Sequence, residues 1–332
     1  MRKAGLVWCL LAILAALGAP QLAAAQDRTA KGKRVAMFMG PTQDKYLGAL
    51  SKGFETAATA MGMSVTVFSS PFDPALQGQQ IDDAIAQKFD LFVVQTISQK
   101  AIVPPLTRAK AAGIPVFLVV VPLEASTAND ALYASYIGYD DAKLGQLAAS
   151  SLAEALKSAG RTQARIAVIA GSMAEGKAVI RERAFREEMT RHPGLQVVVT
   201  EDVKWNPVQA ERSTGQLLAR FAGQGGLDGL YGMNDSLANG AIQAAEAAGV
   251  KIGPDKGGLI VVGGNCQAPG IKNIQSGKMA ATVFVLPIEE GRRAAETAKT
   301  YFEGGKVERR VFLPTEPVTR ANLGTTAQAC SY

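Results

Sequence analysis

The stretch at residues 227–249, LDGLYGMNDSLANGAIQAAEAAG, constrains this chain more than any other. It opens as a short apolar run, turns at Asn234, Asp235 and Ser236, and continues with Leu237, Ala238, Ala241, Ile242, Ala245 and Ala248 on one helical face. That is the pattern of a buried strand feeding a helix, with N-capping residues at the turn and Gly249 as the stop. Short polar side chains at such a turn stand where an open α/β sheet binds ligands, so Asn234 and Asp235 are candidate contacts. An earlier copy lies at 89–121, where FDLFVVQT leads through helical sequence at 101–112 to Gly113 and a second apolar run, IPVFLVVV. Both copies enter the strand with an apolar residue then Asp, and both helices end Ala-Ala-Gly, so two similar lobes are expected.

The rest of the chain keeps the same rhythm. Strands are expected at 34–39, 64–70, 131–139, 165–170, 195–200, 258–263, 279–287 and 310–313, with helices at 47–61, through 87, through 159, and at 177–191, 207–222 and 288–302. Strands alternating with helices at this spacing imply parallel sheets covered on both faces. A length of 332 residues and 48% hydrophobic composition are ample for two such bodies. Two sheets joined by more than one crossing form a bilobed molecule with a cleft between their strand ends, and a ligand touching both lobes favours closure.

The first residues have a different character. Arg2 and Lys3 precede an apolar run at 6–17 and then Ala23-Ala24-Ala25, the form of a secretory signal cleaved after Ala25. Losing Arg2 and Lys3 takes the net charge from +6 to +4, since residues 1–25 hold no acid. So small and dispersed an excess points to neither nucleic acid nor a membrane surface as partner. Cys266 and Cys330 remain after cleavage, and an oxidising compartment permits their pairing while leaving a reduced Cys266 equally open.

Catalytic signatures are lacking. The loop GSMAEGKA at 171–178 has the outline of a phosphate cradle, but Ala178 stands where a magnesium-binding hydroxyl is needed, so it reads as a strand-to-helix turn. His192 is the sole histidine and precedes Pro193 at a helix end, which leaves no zinc site and no Ser-His-acid triad. No enzyme, metal or cofactor is expected. What remains at strand ends is a polar and aromatic set: Gln43, Asp44, Tyr46, Arg181, Trp205, Asn234, Asp235 and Asn265. Aromatics stack on the apolar faces of sugar rings while amides, carboxylates and guanidinium satisfy hydroxyls, so a small neutral polyhydroxylated ligand suits the set.

Four stretches in order, QDKYLGALSKGF at 43–54, IRERAF at 180–185, GMNDSLANGA at 232–241 and VVGGN at 261–265 followed by MAATVFVLP, resemble the periplasmic sugar-binding proteins of the ribose-binding type, the soluble receptors of ABC importers. The resemblance implies a type I periplasmic binding protein fold, two doubly wound lobes with three crossings. It divides the chain into a signal peptide at 1–25, lobe 1 at 32–137 plus 286–314, and lobe 2 at 138–285 plus 315–332. It places the family's pocket arginine on Arg181, its stacking aromatics on Tyr46 and Trp205, its asparagine on Asn234 and its aspartate on the position of Asn265. It further implies a monomer in the periplasm that hands a sugar or polyol to an ABC permease, with delivery of ligand state to a sensor kinase or chemoreceptor as the alternative. Val120 and Val121 stand where the family often has Asp-Arg, Val285 replaces its glutamine and Asn265 its aspartate. Burying a sugar hydroxyl against valine costs on the order of 1 to 3 kcal/mol, so a polyol or modified sugar is expected rather than ribose. Arg181→Ala and Asn234→Ala are expected to weaken binding, read by titration calorimetry, with little loss of fold; His192→Ala should do neither.

Overall fold

Apolar runs without polar alternation, such as VAMFM in the first strand, require burial on both faces, and a parallel sheet between helices supplies it. The computed structural model describes residues 29–330 and 332; the signal stretch and the cleavage expected after Ala25 lie outside them. The first sheet is built from β1 (Arg34–Met39), β2 (Ser64–Ser69), β3 (Leu91–Gln95), β4 (Val116–Val119) and β5 (Ser135–Gly138), connected by α1 (Lys45–Ala60), α2 (Pro74–Ala86), α3 (Val103–Ala111) and the single turn α4 (Thr127–Asp130). The chain then leaves through α5 (Asp141–Ser158) and runs β6 (Ala164–Ala170), α6 (Gly176–Met189), β7 (Leu195–Asp202), α7 (Pro207–Ala222), β8 (Gly229–Gly232), α8 (Asp235–Ala247), β9 (Ile260–Val262), α9 (Ala268–Gln275) and β10 (Ala281–Val283). It returns as α10 (Pro287–Phe302) and β11 (Arg310–Phe312) and crosses once more to β12 (Pro317–Thr319) and α11 (Leu323–Thr326).

The two sheets have orders β11-β5-β4-β3-β1-β2 and β12-β10-β9-β8-β6-β7. Their strands pair in parallel except for β12, which runs antiparallel to β10. Position by position the orders coincide, and the two repeated strand-helix units, β3 with α3 and β8 with α8, occupy equivalent places. In each sheet the winding reverses beside the first strand, between β3 and β1 or between β8 and β6, and a crevice opens there at the carboxyl ends. Helices entering from those ends are capped by short polar residues: Asp44 accepts from the Leu47 N–H at 3.0 Å and Asn234 from the Leu237 N–H at 2.8 Å. The first sheet divides its side chains by strand alternation, with Met37 and Val93 in the core under α1 and α10, and Phe38, Phe92 and Val94 in a separate core on the other face.

Three segments cross between the lobes, and they are laced together. The Tyr139 hydroxyl accepts from the Leu286 N–H at 2.7 Å, the Phe284 N–H donates to Glu316 O at 2.8 Å, and the Leu313 N–H donates to Gly138 O at 2.9 Å. This explains why the strand expected at 279–287 is only Ala281–Val283: from Phe284 onward the backbone bonds across the hinge instead of along the sheet. The strand expected at 131–139 is likewise shortened, since the Leu132 N–H closes a turn onto Asn129 O after α4. Helix α9 was not expected; its eight residues bury only Gly270, Ile271, Asn273 and Ile274, too brief a stripe to stand out. Among the described residues no helix is long and apolar enough to cross a membrane.

Lobe 1 is closed by α10 lying on α1, and glycine permits the approach. A Cβ on Gly53 would stand 2.2 Å from Ile288 O, and one on Gly291 would stand 2.2 Å from Leu50 O. Gly53→Val should therefore force the helices apart and lower stability by about 1–3 kcal/mol, the usual cost of overpacking, in urea denaturation followed by circular dichroism; an unchanged midpoint would show that the contact is dispensable.

Candidate functional site

The crevices of the two lobes face each other and enclose one small cavity of about 40 Å³. Lobe 1 supplies Asp44, Tyr46, Leu47, Phe72 and Val120, and lobe 2 supplies Lys177, Arg181, Trp205, Asn234, Asn265 and Gln267. The lobes touch, for a Cβ on Gly176 of lobe 2 would meet the Gln99 amide of lobe 1 at 2.2 Å. A wider, open groove of about 680 Å³ runs between the lobes past Lys100 and Glu124 on one side and Val179 and Arg183 on the other, without aromatic walls. The enclosed cavity is therefore the candidate site.

Arg181 reaches the cavity from α6, almost wholly buried, and its position is over-determined. Its Nε donates to Asp141 Oδ1 at 2.7 Å, and its Nη1 donates to Asn265 Oδ1 at 3.0 Å and Met233 O at 3.2 Å. Removing one member of such a buried pair leaves the other charge uncompensated and commonly costs about 3–5 kcal/mol. The expectation that Arg181→Ala spares the fold is corrected on this ground.

Trp205 and Tyr46 face the cavity from opposite lobes. Trp205 lies against the backbone of Gly171, where a Cβ would sit 2.1 Å from its ring, and its indole N–H donates to Glu175 Oε2 at 3.3 Å. Lys177 Nζ stands 4.8 Å from the centre of the Trp205 ring and 3.4 Å from Glu175 Oε2. The Tyr46 hydroxyl donates to Glu290 Oε2, and the Val120 N–H donates to Glu290 Oε1 at 3.0 Å. Four lining residues hold left-handed backbone: Phe72 at φ +52°, Val120 at +63°, Trp205 at +59° and Asn265 at +75°. That conformation is costly for a β-branched or bulky residue and persists only where surroundings enforce it, as at binding sites.

Of the residues singled out from sequence, Asp44, Tyr46, Arg181, Trp205, Asn234 and Asn265 line the one cavity. Gln43 does not; it is exposed on the turn before α1. Asp235 does not line it either. It is fully buried beneath the wall, accepting from Thr282 Oγ1 and from the Gln267 N–H, each at 2.6 Å, and so pins the loop that bears Asn265 to the start of α8. Val285, where the resemblance places a lost glutamine, is also fully buried. Sequence reasoning missed Lys177, which precedes Arg181 by four residues on the same helical face and was legible by that spacing. It missed Gln267, whose amide oxygen caps Ser236, as well as Phe72, for which apolar identity left no signal, whereas Val120 was reached through the resemblance, as the position where the family often has a polar pair. Cys266 and Cys330 form a disulfide with Cα atoms 5.0 Å apart, which settles the pairing that the sequence left open.

Residues 35–306 match the periplasmic binding protein domain family. The chain belongs to that family. It is similar to the ribose import binding protein of Haemophilus influenzae, 24% identical over 300 residues and covering 90% of this chain and 94% of the relative. It is also similar to the xylitol-binding protein of Mycolicibacterium smegmatis, 24% identical over 269 residues and covering 81% and 71% respectively. Among solved structures, the periplasmic ribose ABC transporter protein of Conexibacter woesei superposes with a TM-score of 0.78 at 25% identity, over 92% of this chain and 99% of that one. The two-lobed, mostly parallel architecture is thus that of the type I periplasmic binding proteins.

Two carboxyls behind the binding-protein cleft titrate unusually. Burial pushes Asp235 up to about 7 against the bonds from Thr282 and Gln267, and burial pushes Glu290 up to about 7 against those from Tyr46 and Val120. Between their ordinary values near 4 and this raised value, the folded chain holds protons that the unfolded chain has released. Stability therefore falls as pH rises through that window, each carboxyl contributing up to about 1.4 kcal/mol for every tenfold drop in proton concentration. The thermal midpoint should accordingly climb as pH is lowered from 8 to 5.5, and the slope should flatten in the double variant Asp235→Asn, Glu290→Gln; equal slopes in the two proteins would refute the assignment.

Proposed function

We propose that this protein is a periplasmic solute receptor that closes on a small neutral sugar or polyol and presents the closed form to an ABC import permease. The observation that carries the reading is the cavity itself: aromatic walls, Tyr46 from one lobe and Trp205 from the other, with the amides of Asn234, Asn265 and Gln267 between them. A ring or polyol backbone stacks on the aromatics through its C–H faces while its hydroxyls meet the amides. Both cations at the site already face carboxylates, Arg181 with Asp141 and Lys177 with Glu175, so an anionic ligand is not called for. Val120, in the left-handed backbone of the lobe 1 wall, offers a ligand no side-chain hydrogen bond, which favours a ligand with fewer or differently placed hydroxyls than ribose.

The hinge converts binding into a signal that a permease can read. A ligand bound at micromolar affinity has about 8 kcal/mol available, and only the part realised by touching both lobes drives closure. The names of the ribose and xylitol relatives support a sugar or polyol ligand, and the import role printed for the former supports delivery over sensing. Export through the signal at 1–25 and action as a monomer belong to the same reading.

Titration calorimetry against D-ribose, xylitol and a wider set of sugars and polyols tests it. At least one neutral member should bind at micromolar or tighter affinity, and Trp205→Ala should weaken that binding at least tenfold, about 1.4 kcal/mol. His192→Ala, remote from the cavity, should leave it unchanged. Absence of heat across the whole set, or binding indifferent to Trp205, would remove the basis of the proposal.

A further inference from the structure

The cavity is far smaller than its walls suggest. Pockets for small molecules run to about 300–1,000 Å³, whereas the 40 Å³ here is space on the order of a single water. Next to it a side chain of the protein itself joins the two walls. Tyr332 enters between the lobes, half-buried; its hydroxyl donates to the backbone carbonyl of Asn265 in lobe 2, and its ring meets that of Tyr46 in lobe 1 edge-on, with centroids 6.2 Å apart and planes at 72°. Asp235, Arg181 and Asp44, from the start of α8, from α6 and from the cap of α1, lie near enough to act electrostatically on its phenol. Tyr332 thus stands beside the cavity and bridges its two walls, touching Asn265 of lobe 2 by a hydrogen bond and Tyr46 of lobe 1 by an aromatic contact.

A tether holds it there. Cys330, two residues earlier, is joined to Cys266, the neighbour of the Asn265 whose carbonyl accepts the phenol. Both cysteines are fully buried, the Cys266 N–H donates to Thr282 Oγ1 at 3.2 Å, and Thr282 donates in turn to Asp235. Tyr332 is thereby anchored on the loop that lines the site, at an effective concentration that no free aromatic side chain would reach.

We propose that Tyr332 is a tethered plug of the cleft, an internal stand-in for the ligand that bridges the lobes in its absence and must be displaced for a sugar or polyol to enter. The proposal rests on the receptor reading above. The phenol does what a bound sugar would do, meeting an aromatic ring of one lobe and hydrogen-bonding the other, and so shifts the ligand-free protein towards the closed arrangement. A plug in place about nine-tenths of the time lowers apparent affinity about tenfold, because only the unplugged fraction is competent to bind. Cleavage of the disulfide lengthens the tether and weakens the plug, which makes affinity sensitive to the redox state of Cys266 and Cys330.

The experiment compares wild type with Tyr332→Ala in two readouts. Small-angle X-ray scattering without ligand should give a larger radius of gyration for the variant, and this arm needs no ligand to be known. Calorimetry with D-ribose, xylitol and myo-inositol should give about tenfold tighter binding to the variant for whichever probe binds. Tyr332→Phe, which keeps the ring and loses the bond to Asn265, should lie between the two. Wild type reduced with dithiothreitol, its free thiols counted, should move in the direction of the alanine variant. Unchanged dimensions, or weaker binding by Tyr332→Ala, would show a wall that the ligand contacts and overturn the plug. Expansion of the variant with no probe bound by either protein would uphold the plug and count against the ligand class instead.

Discussion

One guanidinium ties together the lobe 2 wall of the cleft. Arg181 projects from α6 and holds Asp141, the first residue of the helix that follows the first hinge crossing, together with Met233 O at the end of β8 and the amide oxygen of Asn265 on the loop after β9. An ion pair this deeply buried brings little net stability, since desolvation consumes most of the Coulombic gain. Its value lies in geometry. The three partners come from three elements, and a planar donor with fixed directions can satisfy all of them in only one arrangement. The cleft wall of lobe 2 is therefore fixed to the start of α5, where the chain enters that lobe from the first crossing.

The same wall is built from backbone that the chain would not adopt unaided. Asn265 and Cys266 both have positive φ, and they are held by the Cys330 disulfide, by Thr282 and by the buried carboxyl of Asp235 behind them. In lobe 1 the equivalent support is Glu290, whose carboxyl holds both the Tyr46 hydroxyl and the N–H of the left-handed Val120. Each lobe thus places one buried acid behind its binding wall, and each acid is raised towards neutrality by burial. The acids shape the surface without meeting whatever lies on it. Small residues complete the arrangement: Gly171 admits the Trp205 ring, and Gly145 lets α5 approach the Arg181 carbonyl, where a Cβ would stand 2.2 Å away.

How much of this was legible varies by element. The repeated strand-turn-helix units stood out because a parallel strand buried on both faces is an unbroken apolar run, and its helix must carry a 3.6-residue stripe. They proved to occupy equivalent places in two sheets of the same order. Capping residues at strand ends were legible as candidates because the chemistry that caps a helix also faces a crevice, and Asp44 and Asn234 do both. Asp235 shows the limit of that argument. It neighbours Asn234 in sequence, yet the first turn of α8 directs it into the protein, where Thr282 and the Gln267 N–H take up its oxygens. The shortened strand at 281–283 and the helix at 268–275 escaped notice because hinge bonds and a brief apolar stripe have no periodic signature.

By itself the sequence determined the class of fold, the pairing of two like lobes and the kinds of side chain gathered at their strand ends, because those follow from local periodicity and turn chemistry repeated along the chain. The tertiary structure alone decided which of those side chains share a cavity, which acid stands behind a wall, and that Cys266 and Cys330 join so as to bring Tyr332 between the lobes. These are contacts between residues tens to hundreds of positions apart, as with Tyr46 and Tyr332, and they depend on the angle at which two separately folded sheets meet across a hinge. No local pattern encodes that angle, since it is set by the sum of many packing contacts and not by any single stretch of chain.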